Sequence, residues 1–135
     1  MFHHFHGDTH PVGQGSISAE DFREMLDWLR RKYRILDASS FYQAAVSGTL
    51  TDEDTCLTFD DSLLCQYEIA APILADEDLT AFYFVYSSVF TDEPNLLEAY
   101  RYFRSTEYAD FDGFCDEFVS QARICYPEIV ASALQ

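Results

Sequence analysis

Two adjacent carboxylates, Asp60 and Asp61, end the apolar run Cys56-Leu57-Thr58-Phe59, and Ser62 and a helical pattern follow at once. In a chain that alternates strands and helices, this order puts both acids at the carboxyl end of a strand, where such folds keep their chemistry. One carboxylate of such a pair can ligate a divalent cation while the other acts as general base on a water. The same three residues also read as a plain Asp-Asp-Ser turn that caps the next helix.

Histidines form the second group able to do chemistry. His3, His4 and His6 stand in the run Phe2-His3-His4-Phe5-His6, and His10 follows a glycine-containing loop. If the run is a strand, its pleat sets His4 and His6 on one face with Phe2, and His3 and Phe5 on the other. Two histidines at i and i+2 can ligate one metal. They would approach Asp61 if this strand lies beside the one that ends in Asp60. His4 and His6 are therefore candidate ligands beside Asp61, against a plainer reading in which they only line a cleft.

Positioning these side chains takes an alternating βαβαβαβ order and then helices. Ser18 opens a helix, with Asp21 three residues on as in a capping box. Phe22, Met25, Leu26 and Leu29 then make one apolar stripe, and Arg30, Arg31, Lys32 and Arg34 crowd the end that favours cations. Ile35-Leu36 reads as a short strand. Asp37 to Ser40 can cap a second helix that Gly48 stops. Thr55 to Phe59 is the central strand. A helix over 63–76 aligns Leu63, Tyr67, Ala70 and Leu74, with a kink or early end forced by Pro72. The run over 80–88, aromatic and β-branched, is the strongest strand signal. Beyond it only helices are readable, with stripes at Leu96, Tyr100, Phe103 and at Phe111, Phe114, Phe118, Ala122. Alternation of this kind implies a parallel sheet with right-handed crossovers.

Composition narrows the function. With 135 residues the chain has room for a single domain, and its 48% hydrophobic and 16% aromatic content argues against disorder. A net charge of -16, with Lys32 the only lysine, excludes nucleic acid and anionic membranes as electrostatic partners. The acids at 52–54 and 76–78 read as solvated charges. Cys56, Cys65, Cys115 and Cys125 form no C-x-x-C pair and read as reduced, buried small hydrophobes. No signal-like start and no run of about 18 apolar residues is present. The expectation is a soluble cytoplasmic protein.

Leu57-Thr58-Phe59-Asp60-Asp61-Ser62 resembles the T-F-D-D-G signature of the polysaccharide deacetylases, the NodB-homology group or carbohydrate esterase family four. Tyr67, Ala70, Pro72, Ile73 and Leu74 resemble the "Y…A…P-I-L" that follows it, and Thr80-Ala81-Phe82-Tyr83-Phe84-Val85 resembles the "T-A-F-F-F-V" strand. The His3-His4 start and Phe22 with Leu26-Asp27-Trp28-Leu29 resemble the family's first strand and helix, so the likeness spans roughly the first two thirds of the chain. It implies a distorted (β/α) barrel; with the order read above, the expected fold class is α/β, a partial distorted (β/α) barrel with a parallel sheet of about four strands and a helical C-terminal third. It implies hydrolysis of acetyl groups on carbohydrate with a divalent metal, zinc by preference. Asp60 takes the part of general base and Asp61 that of metal ligand.

Two departures stand beside the likeness. Ser62 occupies the position of the signature's Gly, where a positive φ or close backbone approach is expected and a side chain imposes strain. The family's H-[ST]-x-x-H ligands and late histidine are missing, since no His follows His10. The expectation is the N-terminal part of such a domain, inactive by itself. The competing readings are a non-catalytic acidic interaction module, self-associating through an open sheet edge, and an acidic metal-binding module.

Overall fold

The computed structural model describes residues 1–13, 15–91, 94 and 96–133. The chain falls into two compact units, Met1–Asn95 and Leu96–Gln135. The first mixes helices with small parallel sheets and the second is helical.

In the first unit, Ser18 starts helix α1 (Ala19–Lys32) as its residues require. Its hydroxyl accepts from the Asp21 N–H at 3.0 Å, and Asp21 Oδ2 accepts from the Ser18 N–H at 3.0 Å. This closes the capping box. The Ser18 N–H and hydroxyl hold the Asp21 carboxyl below its usual pKa. The helix buries Phe22 and Leu26 and half-buries Leu29. Met25, expected in the same stripe, is 41% exposed. Only a narrow strip of α1 is covered, because the sheet beneath it is small.

Strand β1 (Arg34–Ile35) pairs in parallel with β2 (Asp54–Thr55). Helix α2 (Ala38–Ser47) connects them, capped by Asp37, whose carboxylate accepts from the Ser39 and Ser40 N–H groups at 3.0 Å each. Gly48 ends it at φ 68, a conformation that favours glycine. The acids at 52–54 are not all solvated. The Asp54 side chain is 1% exposed and accepts from Arg34 Nε at 2.6 Å, from the Thr51 N–H at 2.9 Å and from Thr51 Oγ1 at 3.0 Å. Glu77 likewise pairs with Arg30, which ties the end of α1 to the chain just after residue 76.

Strand β3 (Leu57–Asp60) pairs in parallel with β4 (Ala81–Phe84), in register from Leu57↔Ala81 to Asp60↔Phe84. Along β3 the burial alternates, with Leu57 and Phe59 buried. On its other edge Phe2 makes a single parallel bridge to Phe59. The Phe2 N–H donates to Thr58 O at 2.9 Å, and the Asp60 N–H donates to Phe2 O at 3.1 Å.

Where one parallel sheet of about four strands was expected, the described strands form two two-stranded parallel sheets. Pairing lapses at Cys56, between β2 and β3, and the N-terminal run contributes isolated bridges in place of a strand. The second reason lies in the phenylalanines. Phe2 and Phe5 are both buried, at i and i+3, which a period of two cannot deliver. The segment turns between them, and Phe5 bridges Ile17 instead.

Pro72 reshapes the next helix in the way its chemistry demands. A π turn (Gln66–Ala70) runs directly into α3 (Ala71–Asp76), with the Ala71 N–H bonded to Gln66 O five residues back. Proline has no N–H to give to the preceding turn, and wider winding absorbs the misfit. The extra residue rotates the upstream face. Gln66, Ala70, Ile73 and Leu74 are buried, while Tyr67, expected inside, is 74% exposed.

The core is aromatic at its centre. Phe22 meets Phe2, Phe5 and Phe59 edge-on, with ring centroids 5.0, 5.2 and 6.0 Å apart. Pairs of this geometry add about 0.5–1.5 kcal/mol each beyond their area. Of the cysteines only Cys65 is fully buried, and Cys125 is exposed.

The second unit holds α4 (Leu96–Glu107), α5 (Phe111–Cys125) and α6 (Pro127–Ala133), matching the helical C-terminal third read from the stripes. Asp110 caps α5 by accepting from the Gly113 N–H at 2.8 Å. Among the described residues of this unit none is fully buried, and Phe111 and Phe118 are exposed. Among the described residues no helix is long and apolar enough to cross a membrane.

Candidate functional site

Strand β3 delivers its acids as the order of residues requires. Asp60 is the last residue of the strand and Asp61 the first of the turn. The Asp60 backbone is held from two sides, its N–H by Phe2 O and its carbonyl by Gln66 Nε2 at 2.6 Å. With both peptide groups fixed, the carboxylate projects from a rigid base, and its side chain is 27% exposed. His3 Nε2 lies 3.4 Å from Asp60 Oδ2.

The turn that follows is strained. Asp61 has φ 71 and Ser62 has φ 49, two consecutive non-glycine residues in the left-handed region. Such backbone costs of order 1–3 kcal/mol per residue and persists only where the surroundings impose it. Here β4 contributes: Ser62 Oγ donates to Phe84 O at 3.4 Å, across from the end of β3. The positive φ at Ser62 is the conformation for which a glycine is suited.

Gln66 is the residue that sequence reasoning passed over. It is 1% exposed, and its Nε2 donates to His3 O at 2.8 Å as well as to Asp60 O. One side-chain amide thus bolts the histidine segment to the end of β3 and sets His3 beside Asp60. Its Oε1 is buried without a hydrogen-bond partner. A lone glutamine at the head of a helix gives no periodic signal, so nothing in the spacing could have found it. A cavity of about 330 Å³ opens next to it, walled by Ser62, Leu63, Gln66, Tyr67, Ala71 and Tyr83.

The histidines divide among three tasks. His3, outside the set chosen from the pleat, is the one beside Asp60, and the His4 ring stacks on it at 6.4 Å and 12°. His6 Nδ1 lies 3.0 Å from Ser16 Oγ, which also donates to Gly13 O. His10 Nε2 lies 2.7 Å from Glu68 Oε2, and Gly7 and His10 exchange backbone bonds at 3.0 and 3.2 Å. That pins the glycine-containing loop to the π turn.

A zinc centre asks for about three protein donors around one point. Among the described residues no group of three or more His, Cys, Asp or Glu is so arranged. What the site does offer is an acid–base pair, a carboxylate with an imidazole at ion-pair distance, on a rigid strand end beside a strained turn. No protein-family model, curated protein or solved structure matches this chain.

Proposed function

We propose that this chain carries one part of a carbohydrate deacetylase apparatus, with Asp60 as the general base. The observation that carries the reading is the turn after β3: Ser62, which stands at the glycine position of the T-F-D-D-G pattern, has φ 49. A motif that wants glycine there wants this backbone. The resemblance of 80–85 to the family's next strand is supported by β4, which lies directly beside the acids.

In this role Asp60 takes a proton from the water that adds to the acetyl carbonyl. Asp61 would supply one donor to the metal, with His4 and His6 the candidate ligands beside it. The partial barrel belongs to the same proposal, the two parallel pairs being a portion of it. The chain alone is then inactive but retains part of a sugar-facing surface.

The test uses N-acetylglucosamine oligomers with the whole chain, read by amide chemical shifts and by acetate release in added zinc. The reading expects shifts at Asp60, Asp61 and Ser62, and no acetate above an Asp60→Asn control. Oligomers that leave those amides unmoved would overturn the sugar assignment. Zinc-dependent acetate release that Asp60→Asn abolishes would overturn the incompleteness.

A further inference from the structure

Strand β4 stands at the edge of its sheet, with β3 on one side and, among the described residues, no strand, bridge or helix running along the other. The ladder decides which main-chain groups look outward. Phe2 engages β3 through Thr58 O and the Asp60 N–H, so Leu57 and Phe59 turn their peptide groups to β4, and Phe82 and Phe84 answer them. Phe84 O accepts from Ser62 Oγ on that same side. A peptide plane carries its N–H opposite its C=O. The Val85 N–H, both groups of Tyr83 and the Ala81 C=O therefore point away from β3. None of them bonds another backbone group on that side among the described residues. The edge is also unguarded. Residues 79–91 hold no charged side chain, no proline and no glycine, in a chain that is 24% charged. Lysine, proline or a bulge is how an edge strand is kept from meeting its own copies. Tyr83, Phe84 and Val85 are 40%, 56% and 50% exposed along it.

We propose that β4 pairs with β4 of a second copy of this chain, antiparallel about a two-fold axis at Tyr83. In that register Tyr83 exchanges N–H···O bonds with its counterpart, and each Val85 N–H donates to the other copy's Ala81 O. Phe84 comes to lie across from Phe82, extending the stack these two rings already make within one copy at 6.4 Å. A row of unpaired peptide groups calls for an extended strand, and β4 complements itself. An uncharged edge offers nothing that selects a charged strand of another protein. The antiparallel sense carries the two Asp60–Asp61 pairs to opposite ends of the joined sheet. Phe2 meets β3 on its far side, so the sheet has one open edge and the assembly closes at two copies. The proposal does not rest on the carbohydrate reading, since it uses the main chain of β4.

Sedimentation of the whole chain is expected to show a monomer–dimer equilibrium. Each copy carries a charge of -16, and the acids nearest the edge are Asp37, next to the Ala38 N–H that bonds Thr80 Oγ1, and Asp60, opposite Phe84. The dimer should therefore tighten as salt screens them. Val85→Pro removes both Val85–Ala81 bonds and leaves the side facing β3 intact, so it should weaken the dimer at least about tenfold. Val85→Asp keeps the N–H and should do the same by placing a charge on the edge. Melts followed by Trp28 emission check that both variants fold. Met25→Asp and Phe118→Asp, which add the same charge on exposed apolar residues of α1 and α5, should leave the dissociation constant within about twofold. Exchange of the Tyr83 N–H with deuterium should slow as the protein is concentrated. A monomer at every concentration, or growth into fibres, would overturn the proposal. So would a dimer that loosens in salt, one that neither Val85 variant weakens, or one that Met25→Asp or Phe118→Asp abolishes.

Discussion

Replacing Ser62 with glycine is expected to stabilise the first unit. Asp61 and Ser62 occupy left-handed backbone in succession, at φ 71 and 49. For a residue with a Cβ that conformation costs roughly 1–2 kcal/mol, and aspartate tolerates it better than serine because its carboxylate bonds locally. Ser62→Gly removes the cost at the less tolerant position. Against the gain stands the freedom glycine returns to the unfolded chain, about 0.4–1 kcal/mol. The Ser62 Oγ bond to Phe84 O is also lost; at 3.4 Å and exposed, it contributes no more than about 0.3 kcal/mol. The balance is a gain of roughly 0.5 kcal/mol, or about 2–4 °C in Tm for a unit of this size. Thermal melts followed by Trp28 emission read the first unit directly, because that tryptophan lies on α1. Ser62→Ala keeps the backbone requirement and drops the hydroxyl, so it should gain nothing. A glycine variant that melts at or below the wild type would refute the strain, and with it the equivalence of Ser62 to the glycine of the deacetylase signature.

Two further outcomes follow from buried and paired side chains. Gln66→Leu should lower stability by about 1–3 kcal/mol in urea titration, because two bonds to backbone carbonyls vanish while removal of the orphaned Oε1 offsets only part; an unchanged or higher midpoint would contradict the clamp. The Asp54 carboxyl is pulled down to about 2, first by Arg34 and then by the Thr51 N–H. Its folded pKa lies below the unfolded value near ~3.9, so its stabilisation is complete above that value and is lost as pH falls through about 2. Asp54→Asn should therefore flatten the stability curve between roughly pH 4 and 2, and superimposable acid-unfolding curves for variant and wild type would rule this out.

Much of the first unit was legible because local chemistry dictated it. Ser18 and Asp21 cap α1, Asp37 and Gly48 bound α2, and Asp60 ends a strand, each as its residue type demands. What the sequence concealed depends on contacts far apart in the chain. The face of the helix at 66–76 turns on a π turn that Pro72 induces, and counting by 3.6 then sends Tyr67 inward when it is exposed. The histidine beside Asp60 is His3 because Phe2 and Phe5 both seek the core and break the pleat. Gln66 joins residues 63 and 6 positions away, and no window of sequence contains that relation. Asp54 looked like one more solvated acid in an acidic run until Arg34 was placed beside it. Pairing also lapsed at Cys56, where an apolar run gives no warning of a break.

The helices α4, α5 and α6 bury no described residue, and this sets how their backbone meets solvent. Short helices that bury little are marginal in water, so the amide protons of α4 and α6 are expected to exchange with deuterium through small local openings. Those of β3, beneath the phenylalanine cluster, are released only when the unit opens as a whole. One polypeptide thus carries two clocks, a fast one in its last third and a slow one around the strand that ends in Asp60.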